Sequence, residues 1–106
     1  MKNAARLAAQ LRVAWTRKLV LWWQHYNAEY LHSALGVPLI EVVDVCSYLG
    51  RWHGAERRLV IAVAHIENDP WLDVLDTLRH EMAHQFVDEA LAISGESPHG
   101  PAFRKA

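Results

Sequence analysis

Apolar positions recur at three- and four-residue steps through residues 3–34: Leu7, Leu11, Trp15, Leu19, Trp22, Tyr26 and Tyr30. That period predicts one long amphipathic helix, with Arg6, Arg17 and Lys18 falling mostly between the apolar positions. Gly36 and Pro38 follow in the order that ends a helix. From 39 to 66 the texture changes to β-branched residues separated by turn signals. Three short antiparallel strands are expected there, over 39–46, 48–52 and 58–65. His53-Gly54-Ala55-Glu56 is the hairpin loop between the last two. Asn68-Asp69-Pro70 then opens a second helix, with Asp69 as its cap and Pro70 at the first helical position. This helix is expected to reach about Ile93 and to stop at Gly95. Trp71, Leu75, Leu78, Met82, Phe86 and Ile93 fall within an arc of about 80°, which marks its core face. No repeat or linker divides the chain, so residues 1–106 read as one α+β domain.

Composition narrows the setting. Hydrophobic residues make up 52% of the 106, enough for a globular core. Cys46 is the single cysteine, which excludes an intramolecular disulfide and a four-cysteine zinc ribbon and makes the cytoplasm the default compartment. Cys46 itself reads as a small buried apolar residue. The longest apolar candidate, 19–28, is well short of the roughly 18 residues a membrane span needs, and Gln24, His25 and Asn27 interrupt it. Arg6 and Arg12 likewise break any signal peptide.

The net charge of −1 hides an uneven distribution. Residues 1–35 carry Lys2, Arg6, Arg12, Arg17 and Lys18 against Glu29, a balance of +4, and residues 66–97 carry eight acids against Arg79, a balance of −7. The basic first helix could touch DNA phosphates. A solvated face that balances the acidic second helix explains the same residues. Trp15 and Trp22 lie on the apolar stripe and read as core, whereas Trp23 and Trp52 are freer.

Seven histidines prompt a search for metal spacing. His80-Glu81-Met82-Ala83-His84 matches the HExxH pattern. Residues four apart stack on one helical face, so two imidazoles can reach the same zinc ion. Glu81, one position round the helix, can touch a metal-bound water without being a ligand. His80 and His84 point about 180° away from the core arc, on a face of their own. With this content of His and Glu, a chance HExxH appears with probability of about 0.03.

A catalytic zinc needs a third protein ligand. The metzincin extension fails, because Val87 and Ala90 occupy its glycine and histidine places. Among the carboxylates Asp88, Glu89 and Glu96, Asp88 lies one turn beyond His84 and suits a hydrogen bond to a ligand imidazole. His99 follows a break in the chain and can fold back, which makes it the expected third ligand. Tyr48, His53 and His65 are candidates to stabilise an oxyanion, and no spacing selects one. His25, His32 and His53 otherwise read as surface histidines.

The pairing of His80-Glu81-Met82-Ala83-His84 with His99-Gly100-Pro101-Ala102-Phe103 resembles the SprT-like metalloprotease domain, the family that includes Spartan. Tyr26-Asn27-Ala28-Glu29-Tyr30 looks like the aromatic-Asn motif of that family's first helix. Leu49-Gly50-Arg51-Trp52 with Arg58-Leu59-Val60-Ile61 looks like its sheet, and Val74-Leu75-Asp76-Thr77-Leu78 like the run into its metal helix. The likeness covers most of residues 20–106. It implies a zincin-like core with a long N-terminal helix, a three-stranded antiparallel sheet, an HExxH metal helix and a C-terminal ligand loop. It also implies zinc held by His80, His84 and His99, with Glu81 catalytic in the hydrolysis of peptide bonds in protein substrates. Two departures stand out: there is no cysteine-rich ribbon, and the chain ends three residues after Phe103, where the family continues into a helix. A non-hydrolytic zinc-stabilised binding module, or a nucleic-acid adaptor using the basic helix, is the alternative.

Overall fold

A computed structural model describes residues 2–91. Helix α1 spans Lys2–Leu31 and is followed by strand β1, Leu39–Val43, and strand β2, Gly50–His53. A single 3-10 turn, Gly54–Glu56, leads into strand β3, Arg58–Ala62, then the short helix α2, Val63–Asn68, and helix α3, Trp71–Ala90. The architecture is α+β: a long N-terminal helix and a small three-stranded sheet, with α1 packed along β1 and α3 along β2 and β3.

The sheet is mixed, not antiparallel as the strand pattern suggests. Its order is β1-β3-β2, with β1 parallel to β3 and β2 antiparallel to β3. The reason lies in the strand compositions. Leu59, Val60, Ile61 and Ala62 are all buried, so β3 takes the centre, where both faces and both edges are covered. Arg51, His53 and Gly50 suit β2 to an edge. The third strand is also shorter than expected. Val63–Asn68 coils into α2, which moves His65 from a strand end to a buried helical position.

Helix α1 ends earlier than Gly36. His32 and Ser33 both take left-handed conformations, and the Ser33 amide donates to the Asn27 carbonyl at 2.9 Å, closing the last turn. The Asn27 side chain then clasps the incoming chain: its amide donates to Leu35 O at 2.8 Å and its oxygen accepts from Leu35 N at 3.1 Å. The aromatic-Asn motif is therefore a structural clasp that aims the chain into β1. At α3, Pro70 rather than Asp69 is the cap, since the Asp69 carboxylate instead accepts from His65 Nδ1 at 2.6 Å.

The core joins Leu19, Trp23 and Tyr26 of α1 to Ile40, Val42, Leu59 and Ile61 of the sheet and to Val74, Leu75, Leu78 and Met82 of α3. Trp23, expected to be free, is 1% exposed, while Trp15 and Trp22 are only partly covered. The inward face of α1 is rotated from the predicted stripe, and Leu7, Leu11 and Tyr30 of that stripe are exposed. Cys46 is exposed as well, correcting its reading as a core residue.

One polar side chain sits inside this core. Gln85 is 0% exposed; its oxygen accepts from Trp23 Nε1 at 3.1 Å and its amide donates to Gly36 O at 3.1 Å. Replacing it by methionine keeps the volume and orphans the Trp23 indole N–H, while Gly36 O keeps its bond from Arg57. Unsatisfied buried groups cost about 1–3 kcal/mol each. Gln85→Met should therefore lower unfolding free energy in urea by about 1–3 kcal/mol, and an unchanged midpoint would refute this account of the core.

Candidate metal centre

Helix α3 forms because Leu75, Leu78 and Met82 bury against α1 and the sheet. That burial turns the opposite side outward. His80 is exposed and His84 is half-buried, with ring centroids 4.9 Å apart and planes at 78°. A zinc–nitrogen bond is about 2.0–2.1 Å, so two imidazoles on one tetrahedral ion have centroids roughly 5 Å apart. The observed centroid separation is close to that value. Glu81 is 7% exposed and lies toward the sheet side of the same helix.

Strand β2 runs beside this part of α3. Thr77, Glu81, His84 and Asp88 recur at steps of four, three and four and share a helical face. Gly50 packs on Thr77 at one end of that face, and Gly54 packs on Asp88 at the other. Trp52 Nε1 donates to Asp88 Oδ2 at 3.1 Å. The edge strand is thus stitched to α3 on either side of Glu81 and His84. Because the sheet order ends in β2, its outer edge has no partner strand among the described residues.

The other carboxylate candidate on α3 is also engaged. Arg57, held in a left-handed conformation after the 3-10 turn, donates to both oxygens of Glu89 at 2.7 and 3.1 Å and to Gly36 O at 3.1 Å. Glu96, His99 and the loop His99-Gly100-Pro101-Ala102-Phe103 lie outside the described residues, as do Ile93 and Gly95. Among the described residues, no group of three or more His, Cys, Asp or Glu is placed to hold a metal ion.

The three oxyanion candidates are in different places. Tyr48 lies under the Arg51 guanidinium at 4.6 Å. His65 is buried; the Asp69 carboxylate can only accept, so Nδ1 carries the proton, and Nε2 meets the Thr77 hydroxyl at 2.8 Å. His53, expected in solvent, is half-buried, and its Nε2 is buried without a hydrogen-bond partner among the described residues. His25 and His32 are exposed. Two of the first helix's cations are occupied, Arg12 by Asp44 and Lys18 over the Trp71 ring at 4.3 Å.

Gln85, Trp23 and Arg57 were not anticipated as positioning residues. The one available signal was a glutamine immediately after the second histidine, at an angle belonging to the core side of the helix. No helix among the described residues is long and apolar enough to cross a membrane. Compared with protein-family models, curated proteins and solved structures, the chain matches none.

The close approach of β2 makes a testable demand at Gly50. A Cβ there would lie 2.7 Å from Thr77 Cγ2 and 3.2 Å from the Val60 carbonyl oxygen. Gly50→Ala should push the edge strand off α3 and cost about 1–3 kcal/mol. Thr77→Ser, which removes that methyl, should restore part of the loss in the double variant, as read by thermal unfolding.

Proposed function

We propose that the chain is a zinc-dependent metallopeptidase domain of the SprT-like type, with a zincin-like core built around α3. One observation carries this reading: two imidazoles at HExxH spacing, with ring centroids 4.9 Å apart on α3, and Glu81 next to His80 in the same helix. His80, His84 and His99 are the residues that would hold the ion. Bound zinc supplies Lewis acidity and an acidified water. Glu81 takes a proton from the attacking water and passes it to the leaving amine, so the two products separate with the proton balance closed.

The substrate class follows from β2. An edge strand with no partner strand on its outer side among the described residues, tied to the helix on either side of Glu81 and His84, favours an extended main chain as ligand. Peptide bonds in unfolded or extended protein segments are the proposed target, in a cytoplasmic setting. The zinc-stabilised binding module shares the same metal residues and differs only in turnover.

Glu81→Gln separates the two. It keeps the side-chain shape and removes the base, and general acid–base catalysis contributes on the order of 100- to 10,000-fold. Turnover on a generic unfolded protein should fall by that much while zinc content stays near one per chain. His80→Ala and His99→Ala should both weaken zinc binding. Equal cleavage by Glu81→Gln and parent would remove the assignment of Glu81. A zinc-loaded parent that cleaves nothing would leave the binding module.

A further inference from the structure

Beside the histidine pair, α1 and α3 enclose a cleft lined by Tyr26, Tyr30, Leu31, Arg79, Met82 and Ala83. Its chemistry is unusual for a surface depression. Two phenol rings form one wall, with centroids 6.0 Å apart and planes at 37°. Met82, 2% exposed, belongs to the lining, and the Arg79 guanidinium covers the Tyr26 ring at 5.2 Å. Tyr30 is 63% exposed although it is large and aromatic. Among the described residues, its main ring contact is Tyr26, so most of its ring is open to whatever enters.

Ala83 and Arg79 bring the cleft close to His80 along α3. Ala83 follows His80 by three residues, and side chains at that spacing are neighbours on a helix surface, about 5–6 Å between Cβ atoms. A peptide main chain held at His80 therefore has a side chain within reach of the cleft.

We propose that this cleft receives an aromatic side chain of the peptide substrate and so determines where the chain is cut. The proposal rests on the metallopeptidase reading and adds the specificity to it. Aromatic residues fit better than aliphatic ones for three reasons. The tyrosine faces and edges offer offset or edge-on partners. A thioether makes favourable contacts with a ring edge. A guanidinium stacks on a ring face. Among the described residues no acid lines the cleft, so a cationic side chain finds no counter-charge from them there.

The chain contains two methionines, Met1 and Met82, so labelling methionine methyl groups with carbon-13 gives two resonances, one of them from the cleft lining. N-acetyl-phenylalanine amide and N-acetyl-alanine amide are titrated separately into zinc-loaded Glu81→Gln protein. The phenylalanine amide should shift the Met82 signal saturably, and the alanine amide should not. Tyr30→Ala, at an exposed position, should weaken the phenylalanine amide about three- to ten-fold, while Tyr30→Phe, which keeps the ring, should retain it. In the parent enzyme, cleaved products should show an aromatic residue next to the cut, and Tyr30→Ala should reduce that preference over alanine. A Met82 signal that does not move, or moves equally with both amides, overturns the proposal. So does an aromatic preference that Tyr30→Ala leaves intact. Selective Met82 shifts in a chain without zinc-dependent cleavage would instead overturn the hydrolytic reading and leave the aromatic cleft standing.

Discussion

The rotation of α3 about its own axis decides everything the outward face can do, and Gln85 fixes that rotation. A helix packed only through leucines and methionine can slide and turn between nearly equivalent arrangements, because apolar contacts are not directional. Gln85 removes that freedom. Its oxygen is committed to Trp23 of α1 and its amide to the Gly36 carbonyl in the turn before β1. With 100° per residue, a fully buried Gln85 places His84 about 100° and His80 about 140° away from it. Gly36 O is shared with Arg57, whose fork on Glu89 ties the β2–β3 turn to the end of the same helix. Three segments distant in sequence thus converge on one carbonyl, two turns of helix or less from the imidazoles.

The sheet contributes in a different way. β3 is the strand most demanding of burial, and its central position forces the less apolar β2 outward to the edge. The same strand is drawn against α3 by the bare backbone of Gly50 and Gly54 and by the Trp52–Asp88 hydrogen bond. One face of the strand is thus laid on the helix that carries Glu81 and His84, while its outer edge has no partner strand among the described residues. Asp88 anchors the strand through Trp52.

Much of this was legible from the residues, unevenly. The long helices announced themselves because their apolar period is sustained over many turns, and the core arc of α3 from Trp71 to Phe86 is close to the one observed. The histidine pair was legible for the same reason, since spacing within a helix fixes geometry. Strand partners were not. The residues of β1 suit either neighbour, and only the total burial of β3 decides the order. Helix ends misled where left-handed His32 and Ser33 took the role expected of glycine. Trp23 misled because the inward face of α1 is set by the Gln85 hydrogen bond as well as by the apolar stripe. The reading of His99 concerns residues beyond those described, so the third ligand remains a sequence argument.

The mixed sheet also orders events in time. Strands β2 and β3 are separated by four residues (54–57), whereas β1 reaches β3 only across fourteen (44–57). Closing the longer loop costs about 1 kcal/mol more in chain entropy, and parallel pairing returns slightly less per residue. The hairpin therefore assembles as a local event, and β1 docks afterwards onto a strand already half paired. Until it arrives, the parallel edge of β3, the most apolar stretch of the sheet, stands open. The Asn27 clasp ties the root of β1 to the end of α1, and a strand anchored at its root has less chain entropy to lose on pairing.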